Sequence, residues 1–281
     1  MDSLFVSITG FLIKIIFIKD TSKKPIPEYL RYKFKSEILY ILGSFISEDT
    51  NKTPDFTIYF YDVLQPEQVI RKTDKHFFVY HYKETSSTSA TGYYQMSISQ
   101  FEIMLSNILY KLLTKNNGFG IHASAVEIQG KAYIFLGKSG AGKSTISQFL
   151  GKKFRILSDD LIFIRKINKS FFAFQTPFME RNVLVVKSPF PTLLSKIFFL
   201  RKNNHTSLLK IKDNKSLHNK ILKSVRIGDN EVSLSKTINQ LLSNDEMFYM
   251  LSFEKNEKKI IDFFQNTIIT EDYKTFLPTV D

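Results

Sequence analysis

The stretch that most constrains this chain is Gly137-Lys138-Ser139-Gly140-Ala141-Gly142-Lys143-Ser144-Thr145. It meets the G-x-x-x-x-G-K-[ST] pattern at every required position, the Walker A form of a phosphate-binding loop. An apolar run at 132–136 precedes it and a helix-compatible run at 146–150 follows, so strand, loop and helix come in the order the pattern needs. The glycines allow a tight turn with several N–H groups directed inward. The next helix adds its positive dipole end, so an oligophosphate is surrounded by donors. On this reading residues 137–145 hold a nucleotide such as ATP, Lys143 reaches its terminal phosphates, and the Ser144 hydroxyl ligates Mg²⁺.

A chain of 281 residues has room for one large domain or two small ones. It has no cysteine, which excludes disulfides, cysteine–zinc sites and thiol nucleophiles. Residues 4–18 are apolar-rich but too short for a membrane span. Ser7, Thr9, Gly10 and Lys14 interrupt them, and Asp2 stands where a signal peptide carries positive charge. They read as strands, and the protein as cytoplasmic. The net charge of +12 suits an anionic partner. The lysines are scattered among acids, however, and no run interleaves them with stacking aromatics. The expected partners are therefore a nucleotide and an acceptor rather than a nucleic acid; the oligomeric state stays open, a homo-oligomer included.

Taken in order, residues 3–18 read as a strand pair about Gly10, and 27–45 as a helix with Leu30, Phe34, Ile38, Leu39 and Leu42 at helical spacing. Strands are expected at 56–61, 77–82 and 93–98, with an exposed loop at 84–91. Ser97 or Ser99 then caps a helix to about Lys115. Residues 1–117 form a small α+β unit without a chemical motif. From 118 onward, two strand-like runs flank Gln129-Gly130, and a two-residue turn there pairs residues whose numbers sum to 259. Extended, that register puts His122 opposite Gly137, at the mouth of the loop.

A short connection leads from the loop helix into Leu157-Ser158-Asp159-Asp160. A strand that follows one crossover helix runs parallel to the loop strand, so both aspartates end on the phosphate side. One can hold Mg²⁺ and the other can accept a proton from an attacking hydroxyl. A further hairpin about Asn168-Lys169, with numbers summing to 337, returns residues 176–181 to the acidic pair, where they could line an acceptor pocket. Residues 197–200 read as a buried strand and 212–230 as a polar loop. Ser233 or Ser235 caps a helix to Leu242, and 258–264 form a last helix.

His122-Ala-Ser-Ala-Val, the 137–145 loop and Leu157-Ser158-Asp159-Asp160 together resemble the core of the bacterial HPr kinase/phosphorylase family, over roughly residues 118–202. The resemblance implies an α/β P-loop kinase core with a mixed sheet over 118–281, akin to the ATP-type phosphoenolpyruvate carboxykinases. It implies Asp159 as catalytic base with His122 as its helper, Lys143 on the phosphates, and Ser144 with Asp160 at Mg²⁺. HPr kinases proper have glycine where Ala123 stands and a Glu-x-Arg-Gly-Leu-Gly-like element where 176–181 is only a loose substitute. The chain thus resembles a looser relative, whose acceptor hydroxyl belongs to a protein, a peptide or a small molecule. A transporter-type ATPase would need a Leu-Ser-Gly-Gly-Gln-like signature and a distant Asp-Glu strand, and neither is present. The remaining alternative is a P-loop ATPase or nucleotide-binding regulator without kinase turnover.

Overall fold

Tight turns with left-handed backbone set the strand pairings from which the fold is built. Thr9-Gly10 and Gln129-Gly130 have both φ angles positive, the latter at 52° and 73°. This twist matches that of the strands they join and is the one hairpins favour. The computed structural model describes residues 3–19, 23–72, 77–180, 182, 184–226 and 231–268. Arg181, in the segment expected to line the acceptor pocket, and residues 227–230 lie outside the described residues. The chain is mixed α/β and divides into two units: Met1–Leu112 with Pro177–Met179, and Leu113–Thr176 with Glu180–Asp281.

The first unit contains β1 (Ser3–Ile8), β2 (Phe11–Ile18), α1 (Glu28–Leu42), β3 (Phe56–Tyr61), β4 (Val69–Lys72), β5 (Phe77–Tyr80), β6 (Tyr82–Ser86) and β7 (Ser89–Tyr93). From Ile98 the chain enters α2 (Ile98–Lys115). A mixed sheet runs β1-β2-β3-β7-β6, with β4 and β5 as a separate ribbon. The Phe34 and Phe101 rings of the two helices both pack on Phe60, at centroid distances of 4.9 and 6.1 Å. The loop expected at 84–91 is instead the β6–β7 hairpin, and no strand runs over 93–98. The Ser- and Thr-rich sequence suits an exposed edge strand as well as a loop, since β-branched hydroxyl residues favour the pleat. Ser97 does cap α2, its Oγ accepting from the Gln100 N–H at 3.3 Å.

The second unit continues with β8 (Gly118–His122), β9 (Ser124–Ile128), β10 (Lys131–Leu136), α3 (Lys143–Leu150), β11 (Arg155–Ser158), β12 (Leu161–Ile167), β13 (Ser170–Gln175) and β14 (Thr192–Lys202). There follow β15 (Ser207–Lys210), α4 (Asn214–Leu222), β16 (Val225–Arg226), α5 (Glu231–Leu242), β17 (Phe248–Phe253) and α6 (Glu257–Phe263). The mixed sheet runs β11-β9-β10-β14-β13-β12-β8-β16, with β17 beside β14 and β15 beside β17. Strands β10, β14 and β17 are parallel neighbours. Strand β11 is antiparallel to β9, which is antiparallel to β10, so β11 points the same way as the loop strand, one place removed.

The runs 132–136 and 197–200 are continuous apolar stretches because both their faces are covered. Tyr133, Phe135 and Phe198 pack with Ile146 and Leu150 of α3 and Ile260 of α6. Ile134, Leu136, Ile197 and Phe199 face Ile121 and Ile162 of the returning strands and Leu217, Ile221 and Ile238 of α4 and α5. The polar loop expected at 212–230 holds α4. Asp213 caps it, accepting from the N–H groups of Lys215 and Ser216. Only Leu217 and Ile221 of its fully described residues are buried, one i,i+4 pair, too thin a stripe to reveal a helix. Neither Ser233 nor Ser235 caps α5, which begins at Glu231; the Ser233 hydroxyl donates to the Thr114 carbonyl at 2.7 Å.

Candidate functional site

The glycine-rich loop leaves β10 at Gly137 and enters α3 at Lys143. Gly142 has φ +103°, and a Cβ there would lie 2.5 Å from the Phe253 ring, so only glycine fits. Lys138, Ser139, Gly140 and Ser144 are exposed on the loop, and Gly137, Ala141, Gly142 and Thr145 are half-buried. Lys143 is 9% exposed, and its Nζ donates to the Gly137 carbonyl at 2.9 Å across the loop. Burial pulls the Lys143 pKa below the usual lysine range, against the charge of Asp160, which raises it. The Ser124 hydroxyl holds the other side of the same residue, donating to the Lys143 carbonyl at 2.9 Å.

His122 reaches this loop by a different route from the one the hairpin register implies. The sum of 259 holds only between β9 and β10, from Lys131↔Ile128 to Phe135↔Ser124. The chain breaks at Ala123, whose N–H donates to the Asp160 carbonyl at 3.1 Å, and β8 pairs with β12 instead, His122 opposite Leu161. His122 nonetheless lines one cleft of about 590 Å³ with Gly137, Lys138 and Ser139. Its N–H donates to the Ser224 carbonyl at 2.8 Å, which ties the end of β8 to the segment after α4.

The two aspartates occupy different environments. The Ser158 hydroxyl accepts from the N–H groups of Asp160 and Leu161 at 3.3 and 3.1 Å, fixing the turn that carries them. Asp160 is half-exposed, with Oδ1 3.0 Å from His122 Nδ1. The family resemblance implies that His122 assists Asp159; in the structure it pairs with Asp160. Asp159 is only 7% exposed and faces Glu180. Its N–H donates to Glu180 Oε2 at 3.0 Å, which brings the two carboxyl groups together.

Burial pushes the Glu180 carboxyl up, but the hydrogen bond from Asp159 and the Lys187 ammonium outweigh it and leave the pKa below the usual glutamate value. The Lys187 Nζ is 2.7 Å from Glu180 Oε1; burial lowers its pKa while Glu180 and Asp159 oppose the shift. Glu180 is thus favoured in its ionised form. Folded Glu180 binds fewer protons than unfolded, so its stabilisation is full above the ordinary value of 4.5 and is lost as pH falls through the lower folded value. Glu180→Gln is expected to flatten the acid limb of a melting-temperature profile. It should also cost about 1–3 kcal/mol at neutral pH by leaving Lys187 without its carboxylate. An acid limb as steep as the wild type's contradicts this.

Glu180 lies in the segment expected to line the acceptor pocket, but sequence reasoning misses both its bond to Asp159 and the part played by Lys187. The sum of 337 does hold, from Ile162↔Gln175 to Ile167↔Ser170, and it returns the chain toward the aspartates. A lone acid just beyond that return is the available signal for Glu180; a lysine in an irregular loop gives none. Among the described residues no group of three His, Asp or Glu could cage a metal ion. Mg²⁺ asks for less, one or two protein oxygens completed by phosphate and water. The exposed Ser144 hydroxyl and the half-exposed Asp160 carboxylate fit that donor set.

Among the described residues no helix is long and apolar enough to cross a membrane. No curated protein matches the chain. Among solved structures it is similar to the Hpr(Ser) kinase/phosphatase from Coxiella burnetii, at 12% identity, with 56% of this chain and 97% of that chain covered and a TM-score of 0.32. The loop, His122, both aspartates, Glu180 and Lys187 all fall within residues 89–240, which match the family described as SynChlorMet cassette protein ScmC. That match spans more than half of the 281 residues, and the chain belongs to this family.

Proposed function

We propose that the protein is an Mg²⁺-dependent phosphotransferase of the HPr-kinase-like P-loop type, moving a phosphoryl group from a nucleotide such as ATP to an acceptor hydroxyl. The observation that carries this reading is the gathering of the 137–145 loop, His122 and Asp160 on one side of the sheet, with Asp159 on the same turn. Loop N–H groups and Lys143 bind the phosphates; Ser144 and Asp160 hold the metal, which neutralises phosphate charge when bound. Lys143 is held over the loop before any ligand arrives, so little reorganisation is needed.

Asp159 acts as the base in its ionised form, with Lys187 balancing the second negative charge beside Glu180. A second reading is favoured by the 3.0 Å His122–Asp160 contact at the cleft: His122, oriented by Asp160, takes the proton while Asp159 only positions the turn. Loss of transfer in His122→Ala with transfer kept in Asp159→Asn would select it. The nucleotide half is tested by calorimetric titration with MgATP, with ADP and pyrophosphate as competitors. Saturable, Mg²⁺-dependent binding supports the reading, and absence of binding ends it.

A further inference from the structure

The wall of the cleft opposite the loop belongs to the end of α4, and it carries two more cations, Lys220 and Lys223. Lys220 Nζ lies 5.5 Å over the Phe199 ring, so its stem crosses the apolar floor of the cleft while its ammonium group stays in the opening. The negative end of the helix favours cations in this position. It does not by itself account for two of them lining a cavity whose opposite rim carries Lys138. The ion pairs of the described residues leave Lys138, Lys220 and Lys223 without a carboxylate partner, and Asp160 is already paired with His122. The cleft therefore gathers three lysines without a carboxylate partner around the apolar Phe199, Leu200 and Met250.

The 137–145 loop already supplies donors for a nucleotide's phosphates. The α4 lysines line the same cleft as His122, whose backbone is bonded to Ser224, the residue after Lys223. They belong to a different element from the loop and share its cleft with His122. We propose that Lys220 and Lys223 form an anion subsite for the acceptor, which carries a phosphate or carboxylate group of its own apart from the hydroxyl that reacts. This rests on the phosphotransferase reading for the word acceptor, but the subsite is testable without it.

Inorganic phosphate is the probe, titrated by calorimetry into protein saturated with Mg²⁺ and a non-hydrolysable ATP analogue. Phosphate should bind the saturated protein, and Lys220→Gln/Lys223→Gln should weaken it by about tenfold or more, the scale expected when charge-assisted hydrogen bonds are removed. Affinity for the analogue should stay within about threefold, since the loop is untouched. Absence of phosphate binding, equal binding in the double variant, or a parallel fall in analogue affinity would each overturn the subsite; the last would give the lysines to the nucleotide. If the analogue itself fails to bind, the kinase reading falls alone. Phosphate titrated into Lys143→Ala, with and without the two glutamines, then still decides whether α4 holds an anion.

Discussion

Asp159→Asn is expected to lower phosphoryl transfer by about a thousandfold, within the range that loss of a positioned general base produces, while MgATP affinity stays within about threefold. The substitution is nearly isosteric, and the environment explains why the fold should tolerate it. Asp159 lies beside Glu180, and its side chain is one of the hydrogen-bonding groups that hold the Glu180 carboxyl down. An amide N–H can take that place, and the backbone bond from residue 159 to Glu180 Oε2 is unaffected. What the amide cannot do is accept a proton from the attacking hydroxyl. Melting temperature and nucleotide titration, measured beside initial rates, separate these effects. Equal losses of binding and rate, or no loss of rate, would remove Asp159 from the role of base.

Lys143→Ala is expected to weaken MgATP binding by about a hundredfold, near 2.7 kcal/mol, which lies in the range for removing one partner of a desolvated charge pair. The lysine is buried, its pKa is depressed by that burial against the charge of Asp160, and its ammonium group donates to the Gly137 carbonyl. Such a charge is expensive to bury without a counter-ion and is best satisfied by phosphate. The variant should therefore be about as stable as the wild type without nucleotide, and should lose most of the melting-temperature rise that saturating MgATP confers. A full ligand-induced rise in Lys143→Ala would show that the loop does not grip phosphate through this residue.

The parts of this architecture legible in the sequence are those set by local rules. Gln129-Gly130 can hardly be anything but a tight hairpin turn, and the two-residue periodicity then assigns every side chain of β9 and β10 to a face. The glycine pattern at 137–142 is readable because Gly142 must be glycine for both its φ and its distance to Phe253. Long-range pairings are harder. The extended hairpin register cannot foresee that the chain breaks at Ala123 and that β8 crosses to β12, because that choice is made by strands about forty residues away. The same holds for the partners of Asp159: the aspartate is singled out by its place at a strand end, but Glu180 and Lys187 join it in one mutually dependent group only when β13 returns the chain. Helix α4, with its thin apolar stripe, is hidden in the sequence for the same reason, and with it the cations that line the far wall of the cleft.

The central claim is that the protein transfers a nucleotide's phosphoryl group to a hydroxyl. The most direct test is incubation of purified protein with Mg²⁺, γ-labelled ATP and a panel of serine, small hydroxy acids and phosphates, peptides and proteins, with Asp159→Asn as control. The account predicts label in an acid-stable phosphate ester on one acceptor, absent in the variant. Label released only as free phosphate, at the same rate in both proteins, would contradict it and make the chain a nucleotide-hydrolysing or nucleotide-sensing protein instead.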